Sequence, residues 1–167
     1  IEHVVLEKDR IGAGWANRWE SFCLVTPNWS VQLPGYPYDG DEPDGFMPRD
    51  EIVAYLERYA ASFGCPIQLG ADVSGVSQNS DGDFIVSLEE NNSLQAKHLI
   101  ISTGAYQKPF VPTGIEDLPE NVCTIDATEY TSVTDLPDGR VLIIGSGQTG
   151  CQLSEELFEA GRDVVLA

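Results

Sequence analysis

The alternation of hydrophobic and polar positions predicts two places where a strand leads into a helix. The apolar run 141–144 is followed by a glycine-rich turn, a helical pattern over 151–161 and a second apolar run, 163–166. Four β-branched or leucine residues in a row are typical of a strand that is buried on both faces. Strand, glycine turn, helix and strand therefore predict a βαβ unit at this end of the chain.

The earlier part of the chain also has a strand-like run followed by a helical pattern, but a longer segment separates the two. Residues 3–8 form a short apolar run that ends in an acid, which predicts a strand. A helix is predicted after Pro48, with Gly64 at its end, because proline favours the first helical position and glycine the C-terminus. One apolar face of this helix is expected to consist of Ile52, Leu56, Tyr59 and Phe63.

Short strands follow, and they predict a small antiparallel ribbon. Strands are expected at 66–69 and 71–76, and a further strand at 84–88 follows an Asp-Gly turn within 80–83. The other expectations in this region are a turn at Asn91–Asn92, a buried strand over 96–104, a short strand over 122–126 and a turn over 136–139.

The turn 145–150, here called the glycine turn, has glycines at the spacing G-x-G-x-x-G. Gly145 would allow the tight turn, Gly147 would let the backbone approach a pyrophosphate, and Gly150 would let the helix pack close to the strand. The free N–H groups of the helix N-terminus would then face a dinucleotide. The alternative is a purely structural turn.

Glu7 ends the first apolar run, where a dinucleotide-binding fold places the acid that reads the ribose. A carboxylate can accept hydrogen bonds from both ribose hydroxyls. The alternative is a solvated loop carboxylate. If Glu7 does bind ribose, a strand with its own glycine turn should precede Ile1, and the residue that reads the second ribose should follow Ala167. The chain is therefore expected to be a piece of a longer protein.

Residues 15–38, here called the aromatic segment, contain all three tryptophans, Trp15, Trp19 and Trp29. These rings alternate with proline, glycine and asparagine, without a helical or strand period. The composition predicts a long ordered loop that covers a planar ligand. Plain loop packing and a sugar-binding aromatic platform are the alternatives.

Composition narrows the range of partners. The chain has 42% hydrophobic residues, 9 Lys+Arg against 27 Asp+Glu and a formal net charge of −18, which disfavour a nucleic-acid or anionic-membrane surface. No apolar run approaches the ~20 residues that span a bilayer. The four cysteines are far apart and form no C-x-x-C pair, which disfavours a zinc site or a redox dithiol and fits reduced thiols in the cytoplasm. His98 is expected to be structural.

Several motifs in order give the chain a family resemblance. They are Glu7, Gly14-Trp15, Leu24-Val25-Thr26-Pro27, Leu33-Pro34-Gly35, Arg49-Asp50-Glu51 with Tyr55-Leu56, Ser102-Thr103-Gly104 and the glycine turn. In this order and spacing, the chain resembles the flavin-containing monooxygenase superfamily, and more narrowly a bacterial branch of FAD- and NADPH-dependent flavoprotein oxidoreductases. The resemblance covers the whole chain.

The resemblance implies an α/β fold with two Rossmann-type dinucleotide-binding domains, incomplete at both ends. Residues 1–112 would be a partial FAD-binding domain from its second strand onward, and 113–167 would start an NAD(P)-binding domain. The implied cofactor-binding positions, for FAD and NADP together, are Glu7, Lys8, Gly14, Trp15, Arg18, Thr26, Val73, Thr103, Gly104, Gly145, Ser146, Gly147, Gln148, Thr149 and Gly150. No catalytic residue and no metal ligand is assigned.

The implied activity is reduction of FAD by NADPH, followed by reaction with O₂ to oxygenate a small organic substrate. Because the cofactors carry the difficult chemistry, no acid–base triad is required. A flavin-dependent reductase without oxygenation and a non-catalytic nucleotide-sensing module are the alternatives. This chain alone, with half of each nucleotide site, is expected to be colourless and inactive.

Overall fold

The computed structural model describes residues 2–89, 92–104 and 108–167. Its first unit pairs two parallel strands, β1 (Val5–Glu7) and β4 (Ile67–Leu69), with Val5 opposite Ile67. Between them lie a short helix, α1 (Ala13–Ala16), and a long one, α2 (Arg49–Ser62). The predicted strands and the long helix are confirmed.

Helix α2 begins and ends where its sequence predicts. Pro48 occupies the N-cap position with extended backbone, and Asp50 and Glu51 lie in the first turn, near the positive end of the helix dipole. Gly64 ends the helix in the left-handed region, with φ of +61°.

The buried face of α2 agrees with the predicted one in part: Ile52 is buried and Leu56 packs against the core. Its buried residues are Ile52, Val53 and Tyr55, whereas Phe63 is 55% exposed. Tyr55 is buried because its hydroxyl donates to the carbonyl oxygen of Tyr36 in the aromatic segment. A polar group with a partner can be buried at low cost, and periodicity alone does not show such a partner.

The predicted ribbon is present as a three-stranded antiparallel sheet. It consists of β5 (Val73–Gln78), β6 (Phe84–Leu88) and β7 (Ser93–Ala96). Asn79 Oδ1 accepts from the backbone N–H groups of Asp81 and Asp83, and Gly82 has φ of +85°, so the predicted turn at 80–83 is confirmed. Asn91, half of the second predicted turn, lies outside the described residues.

The second unit is a βαβ arrangement. Strands β8 (Val141–Ile143) and β9 (Val164–Leu166) are parallel, with Val141 opposite Val164, and α3 (Gln148–Glu159) connects them. The predicted order of elements is confirmed. The expectation of burial on both faces is wrong, because Leu142 is 58% exposed. In the described chain β8 pairs with β9 alone, and nothing covers that face.

Two predicted strands do not form. Residues 97–104 and 122–126 have no strand assignment, and Ile100 is 87% and Ile101 72% exposed. A strand requires a neighbour that satisfies its N–H and C=O groups. None of the described strands pairs with either run, so the apolar composition alone does not produce a buried strand.

The aromatic segment contributes to the core of the molecule. Trp19 is 2% and Phe22 4% exposed. The segment also contains a 3₁₀ turn, Asn28–Ser30, and a small hairpin of β2 (Gln32–Leu33) and β3 (Tyr36–Pro37), which the sequence did not predict. The buried cluster consists of Trp19, Phe22, Met47, Ile52, Tyr55, Tyr130 and Leu153. The packing interpretation therefore holds for Trp19 and Phe22, and the two units share one core.

Candidate functional site

The glycine turn leads from β8 into an uncapped helix N-terminus. Gly145 has φ of +116°, a conformation that favours glycine, and its N–H donates to the carbonyl oxygen of Ala167 at 2.8 Å. Gly147 occupies the N-cap of α3, and no side chain caps the first turn. A Cβ added at Gly147 would meet nothing within 4 Å. The space in front of the helix N-terminus is therefore open to a ligand.

Gly150 has a different task. A Cβ at this position would lie 1.8 Å from the carbonyl oxygen of Gly145 and 3.5 Å from Cγ2 of Ile143. Only a residue without a side chain permits the helix to lie this close to the end of β8. Among the remaining residues of the turn, Ser146 and Gln148 are exposed and Thr149 is half-buried.

The second group of predicted site residues lies at the end of β1. One carboxylate oxygen of Glu7 accepts from the backbone N–H of Asp9 at 3.0 Å, and the Glu7 carbonyl accepts from Ala71 at 2.9 Å. Lys8 forms an ion pair with Asp72 at 2.7 Å, and the hydrogen bond and charge of Asp72 raise the Lys8 pKa. The structure thus brings Glu7 and Lys8 to the loop that leads into β5.

Other predicted positions lie around the start of the aromatic segment. Trp15 is half-buried, with its ring centroid 5.6 Å from that of Phe22, and the Arg18 guanidinium lies 5.9 Å from the Phe22 ring centroid. Gly14 is exposed within α1, and a Cβ there would meet nothing within 4 Å. Trp15 and Arg18 therefore both lie against the Phe22 ring and form one patch with it.

The remaining predicted positions are exposed: Thr26, Val73, Thr103 and Gly104. Gly104 has φ of +80°, so its conformation favours a residue without Cβ. None of these four is part of the buried cluster around Trp19.

Sequence reasoning missed Gly12. It has φ of +76°, and a Cβ at this position would lie 3.3 Å from Cα of Val53, so Gly12 lets the start of α1 pack against α2. The spacing Gly12-Ala13-Gly14 after the first strand was the available signal.

Contacts between the aromatic segment and the second unit were also missed. Gln152, on α3, donates from Nε2 to the carbonyl oxygen of Cys23 at 3.0 Å, and the N–H of Glu20 donates to the carbonyl oxygen of Thr131 at 2.9 Å. Leu153 belongs to the same buried cluster as Trp19. The helix that follows the glycine turn is thus fastened directly to the aromatic segment.

A buried tyrosine lies beside this contact. Tyr130 is 7% exposed, and burial, together with the nearby carboxylate of Glu156, raises its pKa well above the usual range. Neither the Tyr130 hydroxyl nor Glu156 Oε2 has a hydrogen-bond partner of normal geometry, although the two groups are close enough to interact electrostatically. Glu156 belongs to α3 and Tyr130 lies beside it, where burial disfavours an additional charge.

The described residues show neither a metal-binding cluster nor a membrane-spanning helix. Within 2–89, 92–104 and 108–167, no group of three or more His, Cys, Asp or Glu side chains could hold a metal ion. In the same ranges, no helix is both long and apolar enough to cross a membrane. The described cysteines, Cys23, Cys65, Cys123 and Cys151, are all free thiols.

Comparison with known proteins assigns the chain. The family model described as pyridine nucleotide-disulphide oxidoreductase matches residues 1–167. The chain belongs to this family. Its relatives include an uncharacterized CzcO-like oxidoreductase of Geobacillus kaustophilus, 38% identical over 98% of this chain and 46% of the relative. The indole-3-pyruvate monooxygenase YUCCA1 of Oryza sativa is 30% identical over 96% of this chain and 40% of the relative.

A solved structure agrees with the family assignment. The flavin-containing monooxygenase of Stenotrophomonas maltophilia has a TM-score of 0.81 and 22% identity, over 98% of this chain and 56% of that protein. The predicted flavoprotein fold and the resemblance to flavin-containing monooxygenases are confirmed. The chain spans less than half the length of these two curated relatives.

Proposed function

We propose that the protein is an FAD-dependent oxidoreductase that is reduced by NADPH and uses O₂ to oxygenate a small organic substrate. The observation that carries the proposal is the glycine turn between β8 and α3. Gly147 leaves open space at an uncapped helix N-terminus, and Gly150 has no room for a side chain. Together they form a cradle for a diphosphate, whose negative charge the helix dipole would stabilise.

In this proposal the two units hold different nucleotides. Residues 1–112 contribute to the FAD domain, with Glu7 as the ribose acceptor, and residues 113–167 begin the NADP domain. Glu7 fits because it is half-buried at the end of β1, and among the described residues its carboxylate accepts one hydrogen bond, from the Asp9 N–H. A carboxylate has about four acceptor sites, so it can accept ribose hydroxyls in addition.

When bound, the cofactors would supply the chemistry, which is reduction of FAD by NADPH and reaction of the reduced flavin with O₂. The residues of this chain would bind, orient and exclude water. In the patch, Trp15 and Arg18 are half-buried and supply aromatic surface and a positive charge on the FAD side, and both lie against the buried ring of Phe22. A hydrogen bond from the first residue of α2 holds this patch, since Arg49 Nη1 donates to the Arg18 carbonyl at 3.0 Å.

The family description names disulphide oxidoreductases, which supports a second candidate, a flavin-dependent reductase that does not oxygenate. The described cysteines are free thiols, and no pair of them is disulfide-bonded. The two candidates differ in their use of oxygen. With substrate present, a monooxygenase consumes O₂ and forms one oxygenated product per NADPH, whereas a reductase oxidises NADPH with its electron acceptor when O₂ is excluded. A nucleotide sensor would do neither.

The assignment of the glycine turn is tested by Gly147→Val in the full-length protein. Gly147 has φ of −73°, which valine can adopt, and open space lies in front of it, so the fold should be retained. The valine side chain would occupy the space of the diphosphate. We expect NADPH binding to weaken by several kcal/mol, about a hundredfold or more, while FAD stays bound.

Gly75→Val is the matched control. Gly75 lies on β5 of the ribbon, and its Cβ would also meet nothing within 4 Å. The control should leave NADPH affinity unchanged. An unaltered NADPH dissociation constant in Gly147→Val would remove the glycine turn from the site.

A further inference from the structure

A chain of two side-chain amides connects the glycine turn to the aromatic segment. Gln148, the first residue of α3, donates from Nε2 to Oε1 of Gln152 at 3.4 Å. Gln152 in turn donates from Nε2 to the carbonyl oxygen of Cys23 at 3.0 Å. The Gln152 amide accepts the first bond at Oε1 and donates the second from Nε2, so each bond fixes the amide orientation that the other requires.

The backbone around Cys23, which accepts the hydrogen bond from Gln152, is also held by hydrogen bonds on its other side. The N–H of Leu24 donates to the Met47 carbonyl, and the N–H of Arg49 donates to the Phe22 carbonyl, both at 2.9 Å. Cys23 lies between these bonds, in an antiparallel bridge with Pro48. The backbone at 22–24 is therefore an ordered strip between the start of α2 and the side chain of Gln152.

The donor end lies within the candidate nucleotide site. Gln148 is exposed and is part of the glycine turn, two residues before Gly150. A dinucleotide at the turn would contact the surface that Gln148 occupies. Gln152 lies one helical turn further along α3, and its side chain faces Cys23. It is therefore placed to transmit a change at the turn without itself binding the diphosphate.

We propose that Gln152 is a positioning residue that couples nucleotide binding at the glycine turn to the aromatic segment, and so sets how the two cofactors meet. This inference rests on the proposed function. Hydride transfer depends steeply on geometry, and a displacement of about 1 Å can cost a hundredfold in rate. A single fixed contact between the two units can therefore affect the rate of flavin reduction more than the affinity for either cofactor.

The test compares Gln152→Met and Gln152→Lys in the full-length protein. Methionine has a similar length and no hydrogen-bonding group of comparable strength, so it removes both bonds with little change in packing. Lysine restores a donor that can reach the Cys23 carbonyl, and its ammonium can also donate to Oε1 of Gln148 once that amide turns over, so both contacts can re-form. Glu155→Met, at an exposed position on the same helix, is the matched control.

Two measurements are made on each variant. Hydrogen exchange of residues 18–24 is followed with and without NADP⁺, and anaerobic flavin reduction by NADPH is followed by rapid mixing. NADP⁺ should slow exchange at 18–24 in the wild type. Gln152→Met should lose that effect, bind NADP⁺ within about twofold of the wild type and reduce flavin about 3- to 10-fold more slowly, the range of one hydrogen bond. Gln152→Lys should recover the slowing of exchange by NADP⁺ and the wild-type rate of flavin reduction. Glu155→Met should behave as the wild type.

The outcomes separate this inference from the proposed function. If the wild type binds no NADP⁺, the proposed function fails, and the inference fails with it. If the wild type binds NADP⁺ but exchange at 18–24 does not change, or if Gln152→Met keeps both responses, the inference alone is overturned. Loss of FAD or of NADP⁺ affinity in Gln152→Met without recovery in Gln152→Lys would identify Gln152 as a structural residue and also overturn it.

Discussion

Two glycines of the glycine turn differ in the space around them, and this difference can be measured. Gly150 has no room for a Cβ, because the carbonyl oxygen of Gly145 would lie 1.8 Å away. Gly147 has open space and an ordinary φ. Adding one methyl group should therefore force a backbone shift at Gly150 and nothing at Gly147.

We expect Gly150→Ala to lower the free energy of unfolding of the full-length protein by about 3 kcal/mol, the cost of an overpacked contact. Gly147→Ala should change it by less than about 1 kcal/mol. Urea unfolding of the two variants, followed by circular dichroism, makes the comparison. Equal effects would mean that α3 does not lie as close to β8 as described.

Glu7 provides a second prediction at this scale. Glu7→Gln keeps the shape of the side chain and removes the charge that strengthens hydrogen bonds from ribose hydroxyls. FAD affinity of the full-length protein should fall by about 1.5–3 kcal/mol. Retention of FAD through dialysis checks this, with Glu57→Gln, at an exposed position of α2, as the control. Wild-type retention in Glu7→Gln would make Glu7 a solvated loop carboxylate.

The sequence predicts residues whose role is local better than those whose role depends on distant partners. The spacing predicts the tight turn at Gly145 and the close helix packing at Gly150, and the structure has both. The approach of a pyrophosphate to Gly147 stays a prediction. Gln152 could not be predicted, because its partner Cys23 is 129 positions away and offers only a backbone carbonyl. The sequence indicated the need for glycine at Gly12 only weakly, because that need arises from contact with Val53.

At the scale of elements, Tyr130 beside α3 makes stability sensitive to alkaline pH. Burial raises the Tyr130 pKa, and the charges of Glu156 and Asp135 act in the same direction, against a smaller opposite effect of Arg162. Since the folded-state pKa lies above the unfolded value of about 10, the unfolded state loses its proton first as pH rises. The stability from this group is therefore complete below pH of about 10 and is lost above it.

Tyr130→Phe removes this ionisation and also a buried hydroxyl without a partner of normal geometry. We expect the variant to be as stable as the wild type at neutral pH, within about 1 kcal/mol, because the hydroxyl gains little from its surroundings. Above pH 10 the variant should lose less stability than the wild type. Thermal unfolding midpoints across this pH range give the measurement, and parallel losses in the two proteins would place Tyr130 outside the core.

Several elements with clear local signals were predicted correctly, whereas two predicted strands have no neighbouring strand in the described chain. Helix α2 has its proline start and glycine end, and the ribbon has its Asp-Gly turn. The runs 97–104 and 122–126 have strand-like composition, yet the described chain provides no strand beside them. Composition reports what a segment can form, whereas pairing decides what it does form.

At the scale of the whole molecule, the two units form one structure through the aromatic segment. Trp19 and Phe22 come from the first unit, and Tyr130 and Leu153 from the part of the chain around the second, and all four lie in one buried cluster. The sequence predicted the order of strands and helices in the two units, but the contact between the units depends on packing that no local pattern encodes. A core placed at this junction is suited to holding two cofactors in a fixed relation.

The most direct test of this account is an anaerobic titration of the purified full-length protein with NADPH, followed by the visible absorbance of bound flavin. We predict about one FAD per chain and its complete bleaching by NADPH, with recovery of the absorbance when O₂ is admitted. A protein that contains no flavin, or a bound flavin that NADPH does not reduce, would contradict the assignment of the two units as FAD and NADP sites.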